Sequence, residues 1–163
     1  MRHFSKSQVH FQPAALMGGL LCSVLGFAAV PAANTALTVS GSPVSPMKIT
    51  TATAGFPPNS ASDATTTYSV KAKFSTSPQK ILASLSSVMP AGLTLTVDLV
   101  APSTPATSNG AVSLSTSQQQ VVGDIANTLL ETNIITYTLS ATAAAGVVTS
   151  QSRIVTFKLL AWP

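Results

Sequence analysis

The stretch Leu93-Thr94-Leu95-Thr96-Val97-Asp98-Leu99 sets one apolar residue against one polar residue along its whole length. In an extended strand successive side chains point to opposite sides of the sheet, so Leu93, Leu95, Val97 and Leu99 share one face and Thr94, Thr96 and Asp98 the other. The same period of two recurs downstream. Ile135, Tyr137, Leu139 and Ala141 oppose Thr136, Thr138, Ser140 and Thr142, and near the end Val155, Phe157 and Leu159 oppose Ile154, Thr156 and Lys158.

Working outward from these three, weaker strand candidates cover residues 36–40, 44–53, 66–74 (Tyr68, Val70 and Phe74 on one face), 79–86 (Ile81 and Leu85) and 111–115. Turn-forming residues separate them, at Gly41 to Pro43, Gly55 to Ser60, Met89 to Gly92, Pro102 to Gly110 and Ala143 to Gly146. About eight short alternating strands at this spacing predict an all-β fold, an antiparallel sandwich with an Ig-like or Greek-key layout. One segment departs from the alternation. In VVGDIANTLLE, Val121, Ile125 and Leu129 recur every four residues, which predicts a short helical turn within residues 121–131, although Gly123 opposes it.

The first 33 residues have a different character. Arg2 and Lys6 precede an apolar run from Ala14 to Val30, and small residues follow at Ala32 and Ala33. That order is the pattern of a cleavable secretory signal, with the cut after Ala32 or Ala33. The run is interrupted by Gly18, Gly19 and Gly26 and is shorter than the roughly 20 residues a membrane span needs. Leu20 and Leu21, not small residues, precede Cys22, which argues against lipidation there. Residues 1–33 therefore read as a signal peptide and 34–163 as one β-sandwich domain, secreted or held at the cell surface, with no membrane contact after cleavage.

Composition then excludes most chemistry. His3, His10 and Cys22, the chain's only histidines and cysteine, all lie within residues 1–33. The remainder has no thiol or imidazole for nucleophilic catalysis, general base work or soft-metal ligation, and no disulfide. Charged residues make up 7% of the chain. From Asn34 onward Lys48, Lys71, Lys73, Lys80, Arg153 and Lys158 face Asp63, Asp98, Asp124 and Glu131, a net of 6 − 4 = +2. Lys71 and Lys73 share a strand face, but phosphate binding needs clustered cations, so no nucleic-acid partner is expected. Asp124 and Glu131 do not form the paired carboxylates of a glycosidase, and Asp63 stands alone where a calcium loop concentrates its acids. The expectation is a protein that is not an enzyme, with no catalytic residues, no cofactor and no metal.

Two non-catalytic roles remain. Ser and Thr supply 40 of the 130 residues from Asn34 to Pro163, and apolar residues recur singly between them. The first stretch after the cut, Asn34 to Ser40 (NTALTVS), is an uncharged alternating strand with Leu37 and Val39 on one side. Uncharged strand edges attract other strands, and soluble proteins usually block them with lysine, proline or bulges. A strand of residues 34–42 that adds to a neighbouring copy, with Leu37 and Val39 in its apolar pockets, would make a filament or surface-assembly subunit. The alternative is a monomeric adhesion module that binds a glycan or another surface protein. Of the mature aromatics, only Phe56 and Trp162 fall off the inferred core faces, so they are the contact residues of that alternative.

The stretch MPAGLTLTVDLVAPSTPATSNGAVSLS (Met89 to Ser115), then VVGDI, ITYTLSATAAAGVV (Ile135 to Val148) and SRIVTF, resembles a group of small secreted bacterial Ig-like sandwich proteins of unassigned function. The resemblance covers roughly residues 66 to 160 and implies a fold and a location, not a site. A looser similarity, in the leader, the uncharged Ser/Thr-rich strands and the N-terminal strand, is to pilin-like surface-fibre subunits, whose usual cysteine pair this chain lacks. It implies copies of the chain itself as partners.

Overall fold

A computed structural model describes residues 4–14, 17–24, 35–41, 46–51, 56–73 and 77–162, the first two segments as backbone. Among the described residues the strands are β1 (Phe4–Ala14), β2 (Met17–Val24), β3 (Thr35–Ser40), β4 (Met47–Ile49), β5 (Ala61–Ala72) and β6 (Gln79–Leu85). Then come β7 (Leu93–Leu99), β8 (Thr107–Ser108), β9 (Val112–Ser113), β10 (Gln119–Ile125), β11 (Thr128–Ala141) and β12 (Arg153–Ala161). They form two antiparallel sheets packed as a sandwich. Sheet I runs β4-β2-β1-β12-β6-β10-β8, and sheet II runs β3-β5-β11-β7-β9.

From β5 to β12 each successive strand lies in the opposite sheet from the one before. Every turn in that run is therefore a crossing between layers, and every ladder joins strands distant in sequence. The core lies between the layers and is filled by the alternating residues. In sheet II, Ile135, Tyr137 and Leu139 stand opposite Leu99, Val97 and Leu95, while Leu37 and Val39 stand opposite Val70 and Tyr68. In sheet I, Val155, Phe157 and Leu159 stand opposite Leu85, Ala83 and Ile81, and all of these side chains are buried. The small Ala83 leaves room beside the large Phe157, the interdigitation that close packing requires. Phe74 lies outside the described residues.

The outer face of sheet II explains the hydroxyl-rich composition. Ser69 and Thr132 meet across β5 and β11 at 2.7 Å, Ser62 meets Thr138 at 3.3 Å, and the Thr96 hydroxyl donates to the Thr138 carbonyl at 3.3 Å. Cross-strand Ser/Thr pairs of this kind stabilise a sheet and keep it wetted without charge.

The helical turn expected within residues 121–131 is not there. Residues 119–125 are β10 and residues 128–141 are β11. The period of four arises because the β10 ladder shifts register between Gln120 and Val122 and again between Val122 and Ile125, so Val121, Val122 and Ile125 are all buried. Each bulge adds one residue to the alternation and mimics helical spacing. Asp124 (φ 54) and Asn127 (φ 51) take up the left-handed conformations of this corner, and Leu129 ends up exposed. The one helical element described is a 3-10 turn at Ala143–Ala145. Gly92 turns beneath it with φ 78, where a Cβ would come within 2.7 Å of the Ala145 backbone. Only glycine fits there without strain.

Candidate assembly surfaces

The two flanks of the sandwich, where the sheets end, are built differently. On one flank a continuous segment ties the layers together. Its stub β8 pairs with β10 of sheet I through Ser108 opposite Val122, and its stub β9 pairs with β7 of sheet II through Val112 opposite Val97. The Leu114 N–H then donates to the Leu95 carbonyl in sheet II at 2.9 Å, and the Leu85 N–H in sheet I donates to the Ser115 carbonyl at 2.7 Å. Leu114 itself is buried between them.

Side chains lock this segment. The Asn109 N–H and side-chain amide donate to the Val121 and Gln120 carbonyls at 3.0 and 3.1 Å. The Glu131 carboxylate accepts from the Ser103 N–H at 2.9 Å and from its hydroxyl at 2.7 Å. Asp98 accepts from Ser108 at 3.4 Å and Asp124 from Thr107 at 3.3 Å. The hydroxyl of buried Tyr68 donates to the Val100 carbonyl, and burial, reinforced by the Glu131 charge, holds that hydroxyl protonated well above the ordinary tyrosine range. Asp98, Asp124 and Glu131 thus have structural partners, and Asp63 accepts from the Thr65 N–H and hydroxyl at 3.0 and 2.7 Å.

On the opposite flank sheet II ends in β3, and sheet I continues past β12 to β1, β2 and β4. Sheet II stops at β3, six residues without a charge, whose ladder partner is β5. In sheet I the first strand after the leader-like segment is β12, nine residues long, and its outer edge carries β1. β2 continues from β1, and β4 pairs with β2. Among the described residues, sheet I beyond β12 therefore consists of β1, β2 and the three-residue β4.

The direction of the main-chain groups on β12 follows from its inner neighbour. The Ser86 N–H donates to the Ile154 carbonyl at 2.9 Å, and the Trp162 N–H donates to the Pro78 carbonyl at 2.7 Å. Residues 154, 156, 158 and 160 thus turn their N–H and C=O groups toward β6, because these groups alternate along a strand. Arg153, Val155, Phe157, Leu159 and Ala161 turn theirs to the outer edge.

Leu37 and Val39 are 4% and 1% exposed in the chain's own core, paired with β5 of the same sandwich. The other suggested contacts lie apart in the fold. Phe56 is 68% exposed on the connection from β4 to β5. Trp162, 37% exposed, follows β12, and its ring lies 4.8 Å from the Lys80 ammonium and packs toward Gly123. A tryptophan face already covered by a cation and a close backbone is occupied by its own protein. The sequence reading missed Gly123 as the seat of this ring and missed the exposed apolar side chains of Leu129, Leu130, Ile134 and Val100. The Val100 N–H donates to the Ile134 carbonyl at 3.1 Å, which joins two of them.

Among the described residues no three His, Cys, Asp or Glu side chains converge as a metal site, and no helix is long and apolar enough to cross a membrane. Searches of protein-family models, curated proteins and solved structures gave no match to this chain.

Proposed function

We propose that the protein is a non-catalytic structural subunit, exported through residues 1–33 and joined to copies of itself by β-strand addition at the bacterial surface or outside the cell. The observation that carries this reading is the asymmetry of the sandwich. One flank is closed by two-residue strands, an acidic side chain at each crossing and a connecting segment, while the other ends in β3 and, once residues 1–33 are removed, in the nine-residue β12. Long edges with few charges are what soluble monomers avoid. The charge order and small residues of the leader support export.

The placement of Leu37 and Val39 in the chain's own core moves the joining edge from residues 34–42 to β12. Expression of the full chain in a bacterial host tests the reading. Protein recovered from the periplasm or medium is expected to begin at Ala33 or Asn34 by mass spectrometry and to sediment as more than one copy. Retention of Arg2 and Lys6 in the exported product, or a single-copy mass after processing, contradicts it.

A further inference from the structure

We infer that, once residues 1–33 are gone, two copies of the chain pair β12 against β12 in antiparallel register about Phe157, joining their two first sheets into one. The inference rests on the proposed removal of the leader and names the surface it uncovers.

β1 sits on this edge in the full chain. Its described register sets Ser5 opposite Phe157, Ser7 opposite Val155 and Val9 opposite Arg153. In an antiparallel ladder directly opposite residues share a face.

A second β12 fits the same edge along its whole length. With the two-fold axis at Phe157, the outward main-chain groups pair as Phe157 with Phe157 of the second copy, Val155 with its Leu159, and Arg153 with its Ala161. All five outward residues are used, each opposite another outward residue, as exchanged N–H···O bonds require. The core-facing row becomes Leu159, Phe157, Val155 of one copy beside Val155, Phe157, Leu159 of the other, apolar throughout. On the outer face Lys158 stands opposite Thr156, not opposite another lysine. Shifting the axis to Lys158 would set the two lysines directly against each other, which is destabilising. Shifting it in either direction shortens the ladder. The surface is isologous and self-complementary, as a two-fold dimer demands.

The test uses the full chain carrying C22S and a protease site inserted between Ala33 and Asn34, so that residues 1–33 are removed in vitro whether or not the cell removes them. Thr156→Cys and Lys158→Cys chains are prepared separately. Positions 156 and 158 of opposite copies form a non-hydrogen-bonded pair, with Cα atoms about 4.5 Å apart, within disulfide reach. After cleavage, an oxidised mixture of the two chains is expected to give a disulfide-linked dimer, each chain alone at least tenfold less, and the uncleaved mixture likewise. Light scattering of the cleaved chain with native Thr156 and Lys158 is expected to give twice the single-copy mass. A monomer, as when β4 moves inward to cover β12, overturns the inference. So does equal cross-linking by either chain alone, or by the uncleaved mixture. The N-terminal mass of exported protein reports separately on the leader, so loss of that reading and loss of this pairing are distinguished.

Discussion

The two flanks of this sandwich solve the same problem in opposite ways. Each sheet must end, and an end strand exposes a row of unpaired main-chain donors and acceptors. On the flank of β8 and β9, residues 102–115 cross from one layer to the other, pairing for only two residues with each sheet, and Asn109, Asp98, Asp124 and Glu131 hold the crossing with hydrogen bonds. On the flank of β3 and β12 nothing of that kind is seen among the described residues. Six uncharged residues end one layer, and in the other a nine-residue strand carries β1, residues Phe4–Ala14. Ser/Thr pairs keep the outer face of sheet II wetted, so the difference between the flanks lies in how their end strands are covered.

The largest expected effect sharpens the assignment of β3. Leu37→Ala removes a buried side chain opposite Val70 and is expected to cost about 2–5 kcal/mol in urea unfolding of the isolated chain. If Leu37 served a neighbouring copy instead, the substitution would weaken association and leave single-copy unfolding unchanged. Next comes Val155→Pro. The Val155 N–H points away from β6, so proline there leaves the inner ladder whole and removes an outward donor, as edge strands tolerate. Association of the chain lacking residues 1–33 is expected to fall at least tenfold by sedimentation, with the far-ultraviolet spectrum of the sandwich retained; undiminished association would break the comparison.

Much of this architecture was legible beforehand. Strict alternation located β7 at Leu93–Leu99, and β12 came within a residue or two of its bounds, because both strands bury one face and wet the other. The same signal failed at Val121, Ile125 and Leu129, where two bulges in succession shift the alternation by one residue each. The stubs β8 and β9 are too short to carry any period. The role of the candidate residues was not legible, for a physical reason. Leu37 and Val39 have the pattern of a strand with one apolar face, and that pattern is identical whether the face fills its own core or a neighbour's. The outer side of β12 had no separate signature either, since which strand covers it is a property of sheet order.

On the closed flank, Glu131→Gln replaces a carboxylate that accepts both Ser103 bonds and is expected to cost about 1 kcal/mol at this exposed site, read by thermal unfolding. Under the proposed β12 pairing association is expected not to change, and a dimer lost with Glu131→Gln would show that both flanks contribute. The smallest expected effect is at Lys158. In the β12 pair the two Lys158 side chains are diagonal neighbours, about 7–8 Å apart, and repel weakly. Lys158→Thr is expected to tighten association two- to threefold at low salt and to have no effect at high salt, where the repulsion is screened. Looser association of this variant would contradict the register.

The most direct measurement of the central claim is light scattering on one preparation before and after proteolytic removal of residues 1–33. The account predicts a single-copy mass while β1 covers β12 and a two-copy mass once it is gone. A mass that stays at one copy after removal, or that is already two copies before it, would contradict the claim that the edge of β12 is where copies of this protein join.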